Sequence, residues 1–299
     1  MKCIIIYFSL TGNTKMVTKA IQRGMNGLVD CCDLVKLKDV DVQKLHDYDL
    51  IGLGSPVWSG PPVNVRIFLR NLPIIEGKHA FTFTTHGATP ERFFPMVCKT
   101  LTEKGLTVIG INDWYGSGNM PISPKPYLTD GHPDETDIRE AEEWGKEIAE
   151  RSRRIYAGET DLIPDLQDLP WERPGAGPPR ERPTLNTEKC LYPECRLCMD
   201  NCPMGSIDLS FSPPIFAVGN CRPCYFCEMI CPTGAIEVDY GPPSDYECRR
   251  AREDFAKNIE EAEAAGKFRR LVPIEEVGFD TPYHTFLTKH PRWVIPEDD

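Results

Sequence analysis

The sequence has no long apolar run. None approaches the roughly 20 residues that a membrane-spanning helix needs, although hydrophobic residues make up 40% of the 299. That share supports ordinary packed cores and is too small for a membrane protein. The start, MKCIIIYFS, holds one lysine and a short apolar stretch. It lacks the longer apolar region and small-residue cleavage site of a secretory signal, so a first β-strand and a cytoplasmic location are expected. Positive charge is also scarce. Lys and Arg number 34 against 45 Asp and Glu, a net charge of −11. A nucleic-acid backbone calls for the opposite balance, so nucleic acid is not expected as a partner, whereas docking on basic protein surfaces is compatible with it. No lysine- or serine-based nucleophile constellation and no nicotinamide motif is found. Cysteine, by contrast, is abundant, with 13 residues. Disulfides are not expected in a reducing cytoplasm, which makes metal the better reading for many of them.

The length suggests about two domains. In the first half, strand-like segments recur at Cys3–Phe8, Cys31–Lys36, Leu50–Leu53, His79–Thr84 and Leu106–Ile111. Helical patterns lie between them, near Asn13–Met25, Val63–Leu72 and Arg92–Lys104, and a last helix spans Glu135–Tyr156. On that helix Ile138, Ala141, Gly145, Ile148, Ser152 and Ile155 share one face at spacings of three and four. CIIIYF reads as a strand buried on both faces. Five strands alternating with helices predict an α/β doubly wound domain with a five-stranded parallel sheet over residues 1–158. A linker is expected over 159–185, where PDLQDLPWERPGAGPPRERP breaks both helix and strand. A small cysteine-rich α+β domain is expected over 186–240, then a C-terminal helix and extended tail over 241–299. Ser244–Ala265, rich in charge and alanine, predicts the helix.

The cysteine-rich stretch is an internal repeat, CRLCMDNCPMGSIDL matching CYFCEMICPTGAIEV. The second motif is Cys221-x2-Cys224-x2-Cys227-x3-Cys231-Pro232. The first is Cys190-x4-Cys195-x2-Cys198-x3-Cys202-Pro203. Zinc usually takes two separated ligand pairs, whereas here three close cysteines precede a fourth before proline, twice over. The C-x4-C-x2-C opening of the first motif also fits plant-type [2Fe–2S] spacing. Over Asn186–Tyr240 the chain resembles dicluster bacterial-type ferredoxins, in which the fourth cysteine ligates the other cluster. That implies one [4Fe–4S] cluster on Cys190, Cys195, Cys198 and Cys231, and a second on Cys221, Cys224, Cys227 and Cys202. Cys3, Cys31, Cys32, Cys98 and Cys248 read as small apolar packing residues.

SLTGNTK follows the first strand. A helix N-terminus flanked by hydroxyls makes an anion site, and its spacing fits neither GxxxxGK[ST] nor GxGxxG. A helix cap that binds nothing is the alternative. The loop resembles the flavodoxin phosphate loop, which wraps the terminal phosphate of FMN, with Ser9, Thr11, Gly12, Asn13 and Thr14 in the matching positions. GSPVWSGPP after the third strand places Ser55, Pro56, Val57 and Trp58 where flavodoxin-like proteins border the flavin ring, Trp58 being poised to stack on a flat ring. TTHGATPERFF after the fourth places Thr85, His86 and Gly87 in the third flavin loop. His86 reads as a ring contact, a proton donor or a solvated loop residue.

Taken whole, the chain resembles the flavodoxin–ferredoxin fusion family, the EFR-type ferredoxins of anaerobic bacteria and archaea. RRLVPIEEVGFDTPYH and KHPRWVI in the tail add to the likeness. The resemblance implies FMN and two [4Fe–4S] clusters on one chain. Three functions stay open: an electron carrier serving a redox partner protein; a reductase in which the clusters feed FMN and FMN reduces a small organic substrate, with His86 and Asn112–Pro121 at its pocket; and a redox-sensing or structural subunit of a larger complex. The linker or tail reaching a second subunit would make a homodimer.

Overall fold

A computed structural model describes residues 1–170 and 177–286. The tail segment KHPRWVI and the middle of the proline-rich stretch lie outside the described residues. The chain forms two compact units, one of Met1–Ser117 with Gly131–Pro174 and one of Gly118–Asp130 with Gly175–Asp299. Gly118–Asp130 is thus counted with the second unit, an excursion that a contiguous boundary at 158 does not contain.

In the first unit, β1 (Lys2–Tyr7), α1 (Asn13–Met25), β2 (Cys31–Lys36), β3 (Leu50–Pro56), α2 (Val63–Asn71), β4 (His79–His86), α3 (Phe93–Glu103), β5 (Thr107–Tyr115) and α4 (Glu135–Tyr156) follow in order. The five strands make one sheet in the order β2-β1-β3-β4-β5, and every pairing is parallel. The α/β doubly wound expectation therefore holds. Along β1 successive side chains serve opposite faces, as the period of two requires. Ile4 and Ile6 join Leu53, Val65, Leu69, Phe93 and Val97, the core under α2 and α3. Cys3 and Ile5 join Val17, Ile21, Met25, Trp144 and Ile148, the core under α1 and α4. β5 runs beyond the expected Ile111 because β4 keeps pairing with it as far as His86 and Tyr115.

α1 and α4 approach closely through two glycines. A Cβ on Gly24 would lie 1.9 Å from the Glu142 carbonyl oxygen, and one on Gly145 would lie 2.3 Å from that of Ile21. α4 opens on a reciprocal cap in which Asp134 accepts from the Thr136 and Asp137 amides, and Asp137 accepts from that of Asp134. At the start of β4, the buried His79 joins Ser152 through Nδ1 at 2.8 Å and stacks on Tyr156 at 3.9 Å.

The second unit is built from small pieces. β6 (Thr184–Leu185) pairs antiparallel with β9 (Ile236–Glu237), and β7 (Ile207–Asp208) with β8 (Ile215–Phe216). α5 (Leu197–Asp200) and α6 (Phe226–Met229) are single turns inside the two cysteine motifs. α7 (Gly241–Arg250) and α8 (Ala256–Ala264) are joined by a wide helical turn at Ala251–Phe255, which fulfils the expected helix with an earlier start. A short helix, α9 (Tyr283–Phe286), ends the described chain. From Gly118–Asp130, Ile122 packs with Tyr225 and Tyr240. Backbone bonds tie the same segment to the C-terminal stretch, Gly278 donating to Pro126 and Tyr283 to Ser123. Among the described residues no helix is long and apolar enough to cross a membrane.

Two outcomes are expected. Gly145→Ala should lower the first unit's stability by about 1–3 kcal/mol, since overpacking outweighs the helix-propensity gain; the urea midpoint of that unit reads it. Burial holds the His79 imidazole down from 6.5 to about 4. The unfolded chain then binds the proton first as pH falls. Stability is full above pH 6.5 and should decline between 6.5 and about 4. His79→Gln should flatten that part of a stability–pH profile, and an unchanged slope would remove His79 as its cause.

Candidate functional site

Three loops leave the carboxyl ends of β1, β3 and β4. The strand order reverses beside β1 and β3, the position at which open α/β sheets bind ligands. The first loop carries Ser9 and Thr11, both half-buried, into α1. Gly12, at φ +98°, caps that helix in the left-handed region that favours glycine. No side chain caps α1, and no acidic residue sits in its first turn. Its leading N–H groups thus keep the partial positive charge that attracts an anion. Asn13 holds the loop by donating Nδ2–H to the Ser117 carbonyl at 3.1 Å. The Thr14 hydroxyl is only 1% exposed and pairs with the Thr85 hydroxyl at 2.8 Å. It therefore ties the first loop to the third. A phosphate here would meet backbone N–H groups, Ser9 and Thr11, so the donor set fits an FMN phosphate.

The second loop is held from both sides. Phe8 donates its amide to Gly54, Val57 to Thr85, and Trp58 to Gly60. Ser55 is buried and its carbonyl accepts from the Thr84 hydroxyl at 2.7 Å. Pro56, Val57 and Trp58 are half-buried. Trp58 meets Phe8 edge-on at 5.7 Å, so one of its edges is already occupied by packing. Ser59 has a φ of +54°, and its carbonyl accepts from Arg92 Nε at 2.7 Å. In the third loop Gly87 is half-buried and His86 is buried at the end of β4. His86 Nε2 and Asp113 Oδ2 are 2.8 Å apart, so against a carboxylate the ring nitrogen donates. Its Nδ1 is buried with no hydrogen-bond partner. Tyr115 packs edge-on to the His86 ring at 4.8 Å. Burial, then the Asp113 charge, push its phenol up to about 12. His86 is thus neither solvated nor loose.

In the segment Asn112–Pro121, Trp114 is buried against Phe83 and Trp144, and the residues from Gly118 belong to the second unit.

In the second unit the thiols group crosswise between the motifs. Burial, followed by the neighbouring Cys190, Cys231 and Cys195, pushes the Cys198 thiol up to about 12. Burial, then Cys224, Cys198, Cys202 and Cys221, push that of Cys227 well above its ordinary value. Burial raises Cys224 to about 11, with Cys202 and Cys221 adding to the rise. Cys221 is raised by burial and then by Cys202. One cavity is lined by Cys202, Cys221, Cys224 and Cys227 together. Cys231, the last cysteine of the second motif, packs with Cys190 and Cys198 of the first. The repeat is kept in the polar contacts as well. Ser206 N–H donates to Cys202 Sγ at 3.3 Å, and Ala235 N–H donates to Cys231 Sγ at 3.3 Å. Each fourth cysteine thus takes an amide from the residue four positions on, a donor set that suits a metal-bound thiolate.

Among the described residues, the group of three His, Cys, Asp or Glu ligand atoms that lie within 4.8 Å of one another is His132, Asp134 and Asp137, without a cysteine. His132, Asp134 and Asp137 are accounted for by the α4 cap, His132 Nδ1 meeting Asp137 at 2.6 Å.

Sequence reasoning missed Asp113 and the Thr14–Thr85 pairing. No local signal marks them, since each depends on strands brought together by the sheet.

Residues 4–110 match a family model described as a flavodoxin domain. An uncharacterized protein of Methanocaldococcus jannaschii is 28% identical over 155 residues, 50% of this chain and 98% of its own. Among solved structures, a flavodoxin from the domain Archaea is 21% identical, with a TM-score of 0.42 over 51% of this chain and 99% of its own. The two-electron reduced flavodoxin of Megasphaera elsdenii is 23% identical, with a TM-score of 0.40 over 50% and 99%. The rubredoxin oxygen:oxidoreductase of Desulfovibrio gigas is 15% identical, with a TM-score of 0.41 over 52% and 37%. Residues 4–110 thus match a flavodoxin domain model, and the five-stranded parallel sheet in the order β2-β1-β3-β4-β5 that contains them has a flavodoxin-like fold.

Proposed function

We propose that the chain is a flavo-iron–sulfur electron carrier, with FMN in its flavodoxin-like unit and two [4Fe–4S] clusters in its cysteine-rich unit. It passes electrons between these centres and to or from a redox partner protein. The crosswise grouping of the thiols carries the reading. It matches the exchange of fourth ligands found in dicluster ferredoxins. The flavodoxin family match, the uncapped α1 and the loops beyond β1, β3 and β4 support FMN.

When bound, the clusters supply one-electron steps, and FMN joins one- to two-electron chemistry. The protein's part is positioning and tuning. Gly12 and the α1 amides hold the phosphate. Ser55–Trp58 and Thr85–Gly87 border the ring. The Thr14–Thr85 bond keeps the phosphate loop and a ring loop in register. In the second unit, the amides of Ser206 and Ala235 offset thiolate charge, which shifts a cluster's potential. One chain joining both units raises the effective concentration of each centre for the other. The reductase reading has less support, because Trp114 is used in packing and His86 is engaged with Asp113.

The test is ligand exchange after anoxic reconstitution with iron, sulfide and FMN. Cys231→Ser and Cys195→Ser should remove the same cluster signal in EPR, although they lie in different motifs. Cys202→Ser and Cys221→Ser should remove the other. Bound FMN should persist in all four. Loss of the same signal from Cys231→Ser and Cys221→Ser would reject the crosswise assignment.

A further inference from the structure

Not all the sulfur of the chain is in the repeat. Cys3 is the second residue of β1 and pairs in register with Cys32, the second residue of β2. Both lie at the amino ends of their strands, opposite the edge that carries the three loops. Met25, the last residue of α1, lies over them. Cys3 Sγ is 3.5 Å from Met25 Sδ, and Cys32 Sγ is 3.8 Å from it. Burial, followed by the neighbouring Cys32 side chain, raises the Cys3 thiol. Thiols from two strands therefore both meet the Met25 thioether. Cys3 and Met25 are fully buried. Cys32 is partly buried on the edge strand and gives a route in.

We infer that Cys3, Cys32 and Met25 form a three-sulfur binding site for a monovalent thiophilic ion, copper(I). Metal–sulfur bonds of about 2.3 Å would set three ligands of a trigonal site about 4.0 Å apart. The observed separations need little adjustment to reach that spacing. The ligand types select the ion. A thioether with thiols favours copper(I), whereas zinc draws on thiolate, imidazole and carboxylate. Charge suits the burial as well. One thiol proton leaves as one monovalent cation enters, so the site's net charge does not change. That avoids an unpaired charge in the apolar core under α1 and α4. A divalent ion would need two thiolates for the same balance.

The test uses the full chain with its clusters and FMN in place, kept anoxic. Copper(I) is presented as its bicinchoninate complex, and the metal transferred is counted after gel filtration. Cluster absorption is followed throughout. Wild type should take up one copper ion more than Cys32→Ala and one more than Met25→Leu, with cluster absorption unchanged. Met25→Leu conserves volume and Cys32→Ala lies at the edge, so both should fold, as circular dichroism and FMN uptake would report. Cys98→Ala, which removes a buried thiol elsewhere, should match wild type. X-ray absorption at the copper edge should show sulfur ligands only. Equal uptake by wild type and both variants would overturn the site. Loss in Cys32→Ala but not in Met25→Leu would overturn the three-sulfur assignment. Uptake that follows loss of cluster absorption equally in all forms would assign the copper to the cysteine motifs instead, and so also overturn it.

Discussion

The packing of cysteines from one short motif against those of the other is the constraint on which the second unit rests. Its strands are two residues long and the helices within the motifs are single turns. Pieces of that size bury little apolar surface and cannot offset the conformational entropy of ordering the chain. The thiols converge nonetheless, and burial raises those of Cys198, Cys221, Cys224 and Cys227. Binding of the proposed iron–sulfur clusters would supply these short pieces with folding energy through ligation. Cys231 packs with Cys190 and Cys198 of the first motif as well as with Cys227 of its own, so the two halves of the repeat meet through their cysteines.

The first unit is held differently. It has a parallel sheet with an apolar core on each face, and two glycines let α1 lie against α4. What it forgoes is a cap on α1. A capping side chain is worth about 1 kcal/mol to a helix, and α4 has two such contacts while α1 has none from a side chain. Leaving α1 open at the sheet's ligand edge keeps its amides available to a phosphate. The Thr14 hydroxyl, near that end, pairs with the Thr85 hydroxyl. That bond makes the site a joint product of two loops. Asp113 fixes His86 in a similar way, from a neighbouring strand.

Much of this was legible in the sequence, for reasons that can be traced residue by residue. β1 was visible as an apolar run, and α4 as a face repeating every three or four positions. The spacing of the cysteines, repeated with its proline, carried the resemblance to dicluster ferredoxins that implies a crosswise grouping. Other features had no local signal. β5 continues through the polar Asn112 and Asp113 only because β4 offers partners that far. Gly118–Asp130 joins the second unit because Ile122 meets Tyr225 and Tyr240, residues far along the chain. The meeting of Cys3, Cys32 and Met25 depends on strand register, which no cysteine spacing encodes.

The central claim, one chain carrying two cubane clusters and a flavin, is tested most directly by reductive titration of the reconstituted protein without oxygen. EPR and visible absorption would be recorded at each step. The expected result is signals from two reduced [4Fe–4S] clusters together with bleaching of one bound FMN per chain. The contradicting result is a protein that takes up FMN yet yields no cubane signal after reconstitution with iron and sulfide.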